Sequence, residues 1–351
     1  MKSKAELVEA IIREAEMRKD FAGGEAVETL YFGGGTPSVL EVPEVEKILQ
    51  AVYKYFPVDP LAEITFEANP DHLTEEYCVQ LRRAGINRLS IGIQSWFDDD
   101  LRMMNRRHNA IQGEASIRTA RDAGIDNISI DLIYGLPGMD SDRWKHNLDH
   151  SFLLDIQHLS AYHLTYEPGT RMYHQLKKER ICAVTEEESI GQYYMLLDIA
   201  ESHGFRQYEI SNFCRPGYES KHNSNYWNFR RYLGLGPSAH SYDGKRRSWN
   251  IANNRKYVEG IMKGTPEAGE ELPGKAERYN EYVMTSLRTV KGINLSDLLE
   301  RFGGEWEEYF LGAGDKYIVR GQAVKEDGCY RLTREGMMVS DAIISELMKE
   351  V

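Results

Sequence analysis

Hydrophobic residues along the first part of the chain follow two patterns in turn, a helical spacing in some segments and short continuous runs in others. Amphipathic helical patterns occur, as in VEKILQAVYKYF, where Val45, Ile48, Leu49, Val52 and Phe56 share one face. Between such segments lie short apolar runs typical of buried β-strands. These runs begin near Val27, Glu63, Arg88, Asn127, His158 and Gln207. The alternation of strand and helix predicts an α/β fold.

Two stretches of the chain repeat the same order of signals. LRRAGINRLSIGIQS begins at Leu81 and ARDAGIDNISIDLIYG begins at Ala120, and each predicts a helix end, a glycine stop and a strand. Gly85 and Gly124 stand just after the helix, where a left-handed residue is favoured. A weaker copy surrounds Gly204, so the spacing is near 40 residues. A unit of this length predicts a parallel sheet with right-handed crossovers, curled into an open or closed α/β barrel.

The beginning of the chain departs from the barrel pattern. Leu7, Val8, Ile11, Ile12 and Ala15 form a helical stripe, which predicts that the first element is a helix. A βα barrel starts with a strand instead. The first strand of the barrel is therefore expected to be missing from this chain.

The composition changes twice towards the end of the chain. We assign residues 1–216 to the barrel, 217–274 to an aromatic and basic connecting segment, and 275–351 to a separate module. The last module combines a helix, the segment GINLSDLLERFG, a hairpin turning at Asp327-Gly328 and a final helix from about Arg334. This order predicts a winged-helix-like domain.

Composition disfavours several classes of partner. With 43 basic and 55 acidic residues, the net charge of −12 argues against nucleic acid or an anionic membrane as the main partner. The chain has no apolar run of about 18 residues and no signal-like start, so we expect a soluble, cytoplasmic protein. The four cysteines lie too far apart for a zinc or cluster spacing, which favours free thiols. They are Cys78, Cys182, Cys214 and Cys329.

Polar features follow four successive strands at the point where each strand ends. The glycine loop at 33–35 closes TLYF, Glu67 follows ITF, Gln94 follows IGI, and Asp131 stands between ISI and LIYG. Ligands meet the carboxyl ends of strands in a βα barrel, so these features are expected at one rim. The loop lacks the signatures of a Walker loop or a dinucleotide fingerprint. The set favours a small zwitterionic or hydroxyl-rich cofactor that carries the chemistry. The alternatives are a ligand-free tight turn, a helix cap at Asp131 and a loop-backbone partner at Gln94.

Four motifs together resemble the radical S-adenosylmethionine family of oxygen-independent coproporphyrinogen III oxidases. They are GGGTP at 33–37, EANP at 67–70, SIGIQS with NRRH ending at His108, and DLIYGLPG at 131–138. The match runs over nearly the whole chain. It implies a partial (β/α)6 TIM-like barrel, here with its first strand missing, and a C-terminal helical or winged-helix-like module.

The resemblance implies a binding site for S-adenosylmethionine. Gly34, Gly35 and Thr36 would hold the amino acid end of the cofactor. The rest of the pocket would be lined by Glu67, Gln94, Arg106 and Asp131.

The resemblance also implies a 4Fe-4S cluster, on which S-adenosylmethionine is cleaved to a 5′-deoxyadenosyl radical. Three cysteines spaced C-x3-C-x2-C would hold the cluster in a loop after the first barrel strand. That motif would lie upstream of Met1, so we expect a passed-over upstream start codon, with a natural loss of the segment as the alternative. The cluster is then expected in the full-length protein and not in these 351 residues.

The segment HNSNYW resembles a motif of the haem chaperones within this family. It implies haem-binding roles for His222, Asn223, Tyr226 and Trp227, since a neutral imidazole suits haem iron and aromatic rings pack on the macrocycle. Nearby cations would pair with the propionates. These are Arg230, Arg231, Lys245, Arg246 and Arg247. The alternative is a structural histidine in an aromatic cluster beside a solvated basic face.

Three functions are consistent with these motifs. The first is a haem chaperone that delivers haem, or another tetrapyrrole, to acceptor proteins, with peripheral membrane contact through an acceptor. The second is oxygen-independent coproporphyrinogen III dehydrogenase, which converts its substrate to protoporphyrinogen IX by removing two propionate carboxyls. The third is a cluster-free barrel that binds a small metabolite. An upstream C-x3-C-x2-C motif would favour the chaperone, and one further cysteine two residues on would favour the dehydrogenase.

Overall fold

The computed structural model describes residues 4–350, and its largest unit is one curled seven-stranded sheet. The first five strands are parallel, and each pairs with the next one in the sequence. The strands are β1 (Val27–Phe32), β2 (Val58–Ala68), β3 (Arg88–Gln94), β4 (Asn127–Tyr134), β5 (His158–His163), β6 (Arg206–Glu209) and β7 (Asn212–Cys214). The predicted α/β half-barrel is confirmed.

Helices connect the strands and cover one face of the sheet. They are α1 (Lys4–Met17), α2 (Val42–Tyr55), α3 (Glu75–Ala84), α4 (Asp98–Met103), α5 (Ala110–Asp122), α6 (Ser141–Leu153), α7 (Arg171–Lys177) and α8 (Glu186–Ser202). The predicted glycine stops are confirmed, since Gly85 ends α3 at a φ of 108° and Gly124 follows α5 at 82°. Thr74 begins α3 by accepting a hydrogen bond from the Tyr77 backbone N–H, with an N–O distance of 3.2 Å.

The far edge of the sheet differs from the expected sixth parallel strand. β6 begins near residue 207 as predicted, but β7 lies between β6 and β5 and runs antiparallel to both. The chain turns back because the Glu209 carboxylate accepts hydrogen bonds from the Ser211 backbone N–H, at 2.9 Å, and from the Asn212 amide. The prediction of an all-parallel sheet is therefore wrong at this edge. A turn that is stabilised by a side chain does not change the spacing of the hydrophobic residues, so the sequence pattern did not indicate it.

Alternation along the strands gives the sheet an apolar face and a polar face. Ile64, Phe66 and Ile130 belong to the core beneath the helices. Thr65 and Ser129 alternate with them and face the concave interior. A closed TIM barrel is filled by branched apolar side chains at these positions. The polar interior of this half-barrel suits a polar ligand instead.

Residues 217–274 fold against the first helix of the barrel. Their elements are α9 (Lys221–Trp227), β8 (His240–Tyr242), β9 (Arg247–Asn250), α10 (Asn254–Lys263) and β10 (Ala268–Glu271). The three strands form a small antiparallel sheet in the order β10-β9-β8. α1 packs against both α2 and α10, so it joins this segment to the barrel.

The C-terminal residues have their own apolar core. Their elements are α11 (Lys275–Leu287), β11 (Ile293–Asn294), α12 (Leu295–Phe302), α13 (Gly304–Val319), β12 (Ala323–Glu326), β13 (Cys329–Leu332), α14 (Arg334–Met338) and α15 (Ser340–Leu347). Asp327 and Gly328, at φ of 51° and 73°, form the predicted turn between β12 and β13. The element order is that of a winged helix. Among the helices between residues 4 and 350, none has the length and apolarity needed to cross a membrane.

Candidate functional site

The glycine loop after β1 is the first part of the candidate site. Gly34 and Gly35 have φ of 77° and 62°, in the left-handed region where a side chain is strained. Gly33 is restricted by space, because a Cβ there would lie 2.4 Å from the Tyr31 ring. Thr36 ends the loop, and its side chain makes no capping hydrogen bond to the next turn. The loop therefore presents backbone groups at the end of the strand.

Replacing Gly33 with alanine is expected to destabilise the protein, because the new Cβ must displace the Tyr31 ring. Overpacking of this kind costs about 1–3 kcal/mol in the free energy of unfolding, which urea denaturation measures. Gly191→Ala in α8 is the matched control, since a Cβ there meets nothing within 4 Å. If Gly33→Ala and the native protein have the same free energy of unfolding, the Tyr31 ring moves aside without cost and the prediction is wrong.

Glu67, near the end of β2, connects the glycine loop with Tyr31. The Tyr31 hydroxyl donates to Glu67 Oε1 at 2.6 Å, and the Gly34 backbone N–H donates to Oε2 at 3.3 Å. Burial, reinforced by the charge of Glu67, raises the pKa of the Tyr31 hydroxyl. Tyr31 therefore remains a neutral donor that holds the Glu67 carboxylate beside the loop.

Asp131, in β4, faces the same interior as Glu67. The Ser90 hydroxyl donates to Asp131 Oδ1 at 3.4 Å. Burial and the charge of Glu67 raise the pKa of Asp131 to about 6, against the opposing effects of Ser160, Arg88 and Ser90. Two carboxylates thus repel each other across the interior, and a cationic ligand group would relieve that repulsion.

Gln94 and Arg106 meet over Gly92 of β3. Arg106 Nη2 donates to Asn69 Oδ1 at 2.8 Å and to the Gly92 carbonyl oxygen at 3.1 Å. A Cβ at Gly92 would lie 2.8 Å from Gln94 Nε2 and 3.0 Å from Arg106 Nη2. Gln94 has a φ of 71°, and the pairing of β3 with β4 shifts register there. The charge of Asp131 also acts on Arg106, so these residues belong to one electrostatic cluster.

His222, in α9, lies against the inner side of β1. Its Nδ1 is 2.9 Å from Thr29 Oγ1, its Nε2 is 3.0 Å from the Tyr226 hydroxyl, and its ring stacks on Tyr31 with centroids 4.6 Å apart. Burial, with a smaller contribution from the charge of Arg88, lowers the pKa of His222 to about 4. The imidazole is therefore neutral at physiological pH, as a metal ligand must be.

Glu63 of β2 fixes the start of α9. The backbone N–H groups of Lys221 and His222 donate to the Glu63 carboxylate at 3.2 and 3.1 Å. Ser220 caps the helix by accepting from the Asn223 backbone N–H at 3.3 Å. A carboxylate at a helix N-terminus also interacts favourably with the helix dipole. The barrel thus fixes the backbone that carries His222.

The other residues of the HNSNYW motif have different surroundings. Asn223 and Tyr226 line the same cavity as His222. Trp227 does not line that cavity, and its indole Nε1 is buried without a hydrogen-bond partner among residues 4–350. The structure therefore brings three of the four predicted haem residues to one wall.

The predicted propionate-binding cations are mostly engaged elsewhere. Arg231 pairs with Glu25, Arg246 with Glu270 and Arg247 with Glu281. Arg230 and Lys245 make no ion pair with the residues between 4 and 350, and of these two only Arg230 lines the cavity. Arg230 is thus the member of the set that is available to an anionic ligand of this cavity.

A cavity of about 2320 Å³ joins the loop and the haem motif. Its wall includes Tyr31, the loop at 33–36, Glu67, His222 and Tyr226. Gln94, Arg106 and Asp131 do not line it. The charge of Glu67, which does line it, acts on Asp131. A pocket for one drug-sized ligand measures about 300–1,000 Å³. This cavity is larger than that range.

Sequence reasoning missed Thr29, Tyr31 and Glu63, which contact His222 or its helix. Alternation along β1 and β2 could have placed all three on the inner face together with Glu67. Nothing in the local pattern, however, indicates that α9 packs there, since Thr29 and His222 are 193 positions apart.

A cluster of metal-binding side chains is absent from the part of the chain that the structure describes. No group of three or more His, Cys, Asp or Glu residues between 4 and 350 could hold a metal ion. The four cysteines are free thiols, and two of them, Cys78 and Cys214, are buried. These residues do not fit a 4Fe-4S cluster.

Proteins of known families resemble this chain in sequence. The sequence profile of the Radical SAM superfamily matches residues 2–150, and that of the HemN C-terminal domain matches residues 275–339. Heme chaperone HemW of Bacillus subtilis is 32% identical over 342 residues, which cover 96% of this chain and 90% of that protein. The chain belongs to the HemW family of radical SAM proteins. Mouse radical S-adenosyl methionine domain-containing protein 1, mitochondrial, is 37% identical over 365 residues, which cover 97% of this HemW-family chain and 80% of the mouse protein.

A solved structure shares the fold of this HemW-family chain. It is the coproporphyrinogen III oxidase HemN of Escherichia coli, described as a radical SAM enzyme, with a TM-score of 0.83 over 99% of this chain and 83% of that chain. The two sequences are 20% identical. At that identity the likeness shows the fold alone, and it confirms the radical SAM type of half-barrel predicted from the motifs.

Proposed function

We propose that this protein is a haem chaperone that binds haem through His222 and passes it to an acceptor protein. The observation that carries the proposal is the setting of His222, a neutral imidazole fixed between Thr29, Tyr31 and Tyr226 on the wall of a large cavity. Relatives named heme chaperone HemW, which match nearly the full length of the chain, support it.

The two ring nitrogens of His222 would have separate roles. With Nδ1–H donating to Thr29 Oγ1, the tautomer leaves a lone pair on Nε2 for the haem iron. An outer hydrogen bond of this kind orients a metal-binding histidine and raises its basicity. Nε2 would exchange its contact with the Tyr226 hydroxyl for the iron. Arg230 would pair with a propionate, because a guanidinium matches a carboxylate.

The polar interior of the half-barrel supports binding of S-adenosylmethionine. This cofactor carries a sulfonium and an ammonium group, which suit Glu67 and Asp131, and a carboxylate, which suits Arg106. The close approach at Gly33 and the left-handed Gly34 and Gly35 fit a loop that holds the amino acid end with its backbone. In this family the bound cofactor is a source of a carbon-centred radical when a cluster is present. The residues between 4 and 350 offer no group of three ligands for such a cluster.

Titration with ferric haem, followed by its Soret band, tests the chaperone function. We expect saturable binding of one haem per chain and transfer of that haem to apomyoglobin. Metal-free protoporphyrin IX, which has the same propionates, is expected to bind more weakly because it lacks iron for His222. Absence of saturable haem binding would overturn the proposal.

The pH dependence of haem binding gives a second check on His222. Because the pKa of His222 is lowered to about 4, protons are expected not to compete with iron between pH 8 and about pH 5, and affinity should fall only as the pH approaches 4. An exposed histidine would begin to lose iron near its ordinary pKa of about 6.5. Soret titrations across this range measure the pH at which half of the haem affinity is lost. The same titrations with metal-free protoporphyrin IX measure the contribution of propionate protonation. A midpoint near 6.5 would contradict a buried ligand.

A further inference from the structure

The helix that carries the haem motif cannot be stable by itself. α9 has 7 residues, and none of its side chains is fully buried. Helices shorter than about 12–15 residues are marginal in water without tertiary packing. Its position therefore depends on what holds its two ends. Glu63 of the barrel holds the first end.

The second end of α9 is held by the C-terminal module. Phe229, two residues past the helix, stacks on Tyr282 of α11 with centroids 5.7 Å apart and an angle of 27° between the rings. The guanidinium of Arg301, in α12, lies 5.6 Å from the Phe229 ring centroid and 5.3 Å from that of Tyr282. One cation thus covers both rings and joins them.

The backbone at Phe229 indicates that this contact is structurally specified. Phe229 has a φ of 54°, a left-handed conformation that is uncommon for a bulky residue. Such a conformation persists where the surrounding structure determines it. Here the surroundings are the core of the C-terminal module, against which Phe229 packs.

Hydrogen bonds connect Phe229 to the face of α9 that carries His222. The Phe229 backbone N–H donates to the Tyr226 carbonyl oxygen at 3.2 Å, and the Arg230 N–H donates to that of Asn225 at 3.0 Å. Tyr226 in turn contacts His222 Nε2 through its hydroxyl. A shift of Phe229 would therefore move the nitrogen proposed to bind iron.

We propose that the C-terminal module positions the haem motif, with Phe229, Tyr282 and Arg301 as the positioning contact. The barrel holds one end of α9 through Glu63 and the His222 ring through Thr29 and Tyr31. The module holds the other end of α9, so loss of the module contact is expected to loosen the helix. The consequence for haem rests on the proposed function, whereas the mechanical link does not.

Hydrogen exchange of the haem-free protein tests the mechanical link. Phe229→Asn removes the ring while keeping a residue that tolerates the left-handed conformation, and Arg301→Met removes the cation. Both are expected to speed amide exchange within residues 221–228 by about tenfold. Arg320→Met is the matched control, since Arg320 lies over the Tyr317 ring of the same module, 5.8 Å from its centroid, away from α9. Unchanged exchange in both variants would overturn the proposal.

The Soret spectrum tests the consequence for haem. Phe229→Asn and Arg301→Met are expected to lose part of the histidine-bound signal, and Arg301→Lys, which keeps a cation over the rings, should restore it. A native spectrum in both ring-contact variants would overturn the positioning role. If the native protein binds no haem, the proposed function is wrong. The hydrogen-exchange experiment still tests whether the C-terminal module holds α9.

Discussion

Replacing His222 with alanine is expected to lower the affinity for haem by about a hundredfold, or ~2.7 kcal/mol. The substitution removes the imidazole that Thr29 orients and that burial keeps neutral. It also removes the ring that stacks on Tyr31. The measurement is a Soret titration, in which the histidine-bound signal should disappear and the remaining binding should resemble that of metal-free protoporphyrin IX.

Two variants separate iron binding by His222 from general disruption. Thr29→Val keeps the imidazole but removes its orienting partner, and loss of such an outer contact costs about 10–100-fold in metal affinity. His203→Ala is the matched control, because His203 stacks on Phe152, with centroids 4.8 Å apart, outside the cavity. Its haem affinity should equal that of the native protein. If His222→Ala also titrates like the native protein, axial ligation by His222 is wrong.

Glu14→Ala is expected to cause the largest loss of stability, about 3–5 kcal/mol. Glu14 is 2% exposed and joins three parts of the fold. Its carboxylate accepts from Tyr257 Oη at 2.6 Å, from Asn250 Nδ2 at 2.8 Å and from the Gly236 backbone N–H at 2.9 Å, and Arg18 lies 3.5 Å away. Removal of the carboxylate takes away the acceptor of the Tyr257 hydroxyl and of the Gly236 N–H, and each buried donor left unpaired costs free energy. Asn250 Nδ2 keeps its second acceptor, the Gly236 carbonyl oxygen at 2.8 Å.

Urea unfolding with two further variants tests the role of Glu14. Glu14→Gln keeps one acceptor oxygen but points an amide at a neighbouring donor, so its stability should lie between those of Glu14→Ala and the native protein. Glu16→Ala on the same helix is the control, since Glu16 is exposed and its partners are Arg13 and the Tyr55 hydroxyl. Its urea midpoint should not change. A native midpoint for Glu14→Ala would contradict the inferred link between α1 and residues 236–257.

The position of the candidate cofactor residues at one rim was predictable, because the strand pattern sets the order in which they follow the strands. Glu67 and Asp131 each follow an apolar strand, and parallel strands bring their carboxyl ends to one rim. The structure brings these residues and the glycine loop together. The raised pKa of Asp131 was not predictable, because it depends on burial and on the distance to Glu67.

The amino-acid sequence alone determined the order of the first five strands and of the helices between them, the glycine stops at Gly85 and Gly124, and the turn at Asp327-Gly328. These features depend on periodicity and on neighbours within a few residues. Only the tertiary structure decided that β7 pairs antiparallel with β5, that α9 lies against β1, and that Phe229 docks on the C-terminal module. Such contacts join segments far apart in sequence, and their free energy comes from burial and hydrogen bonds that exist only after the chain has folded.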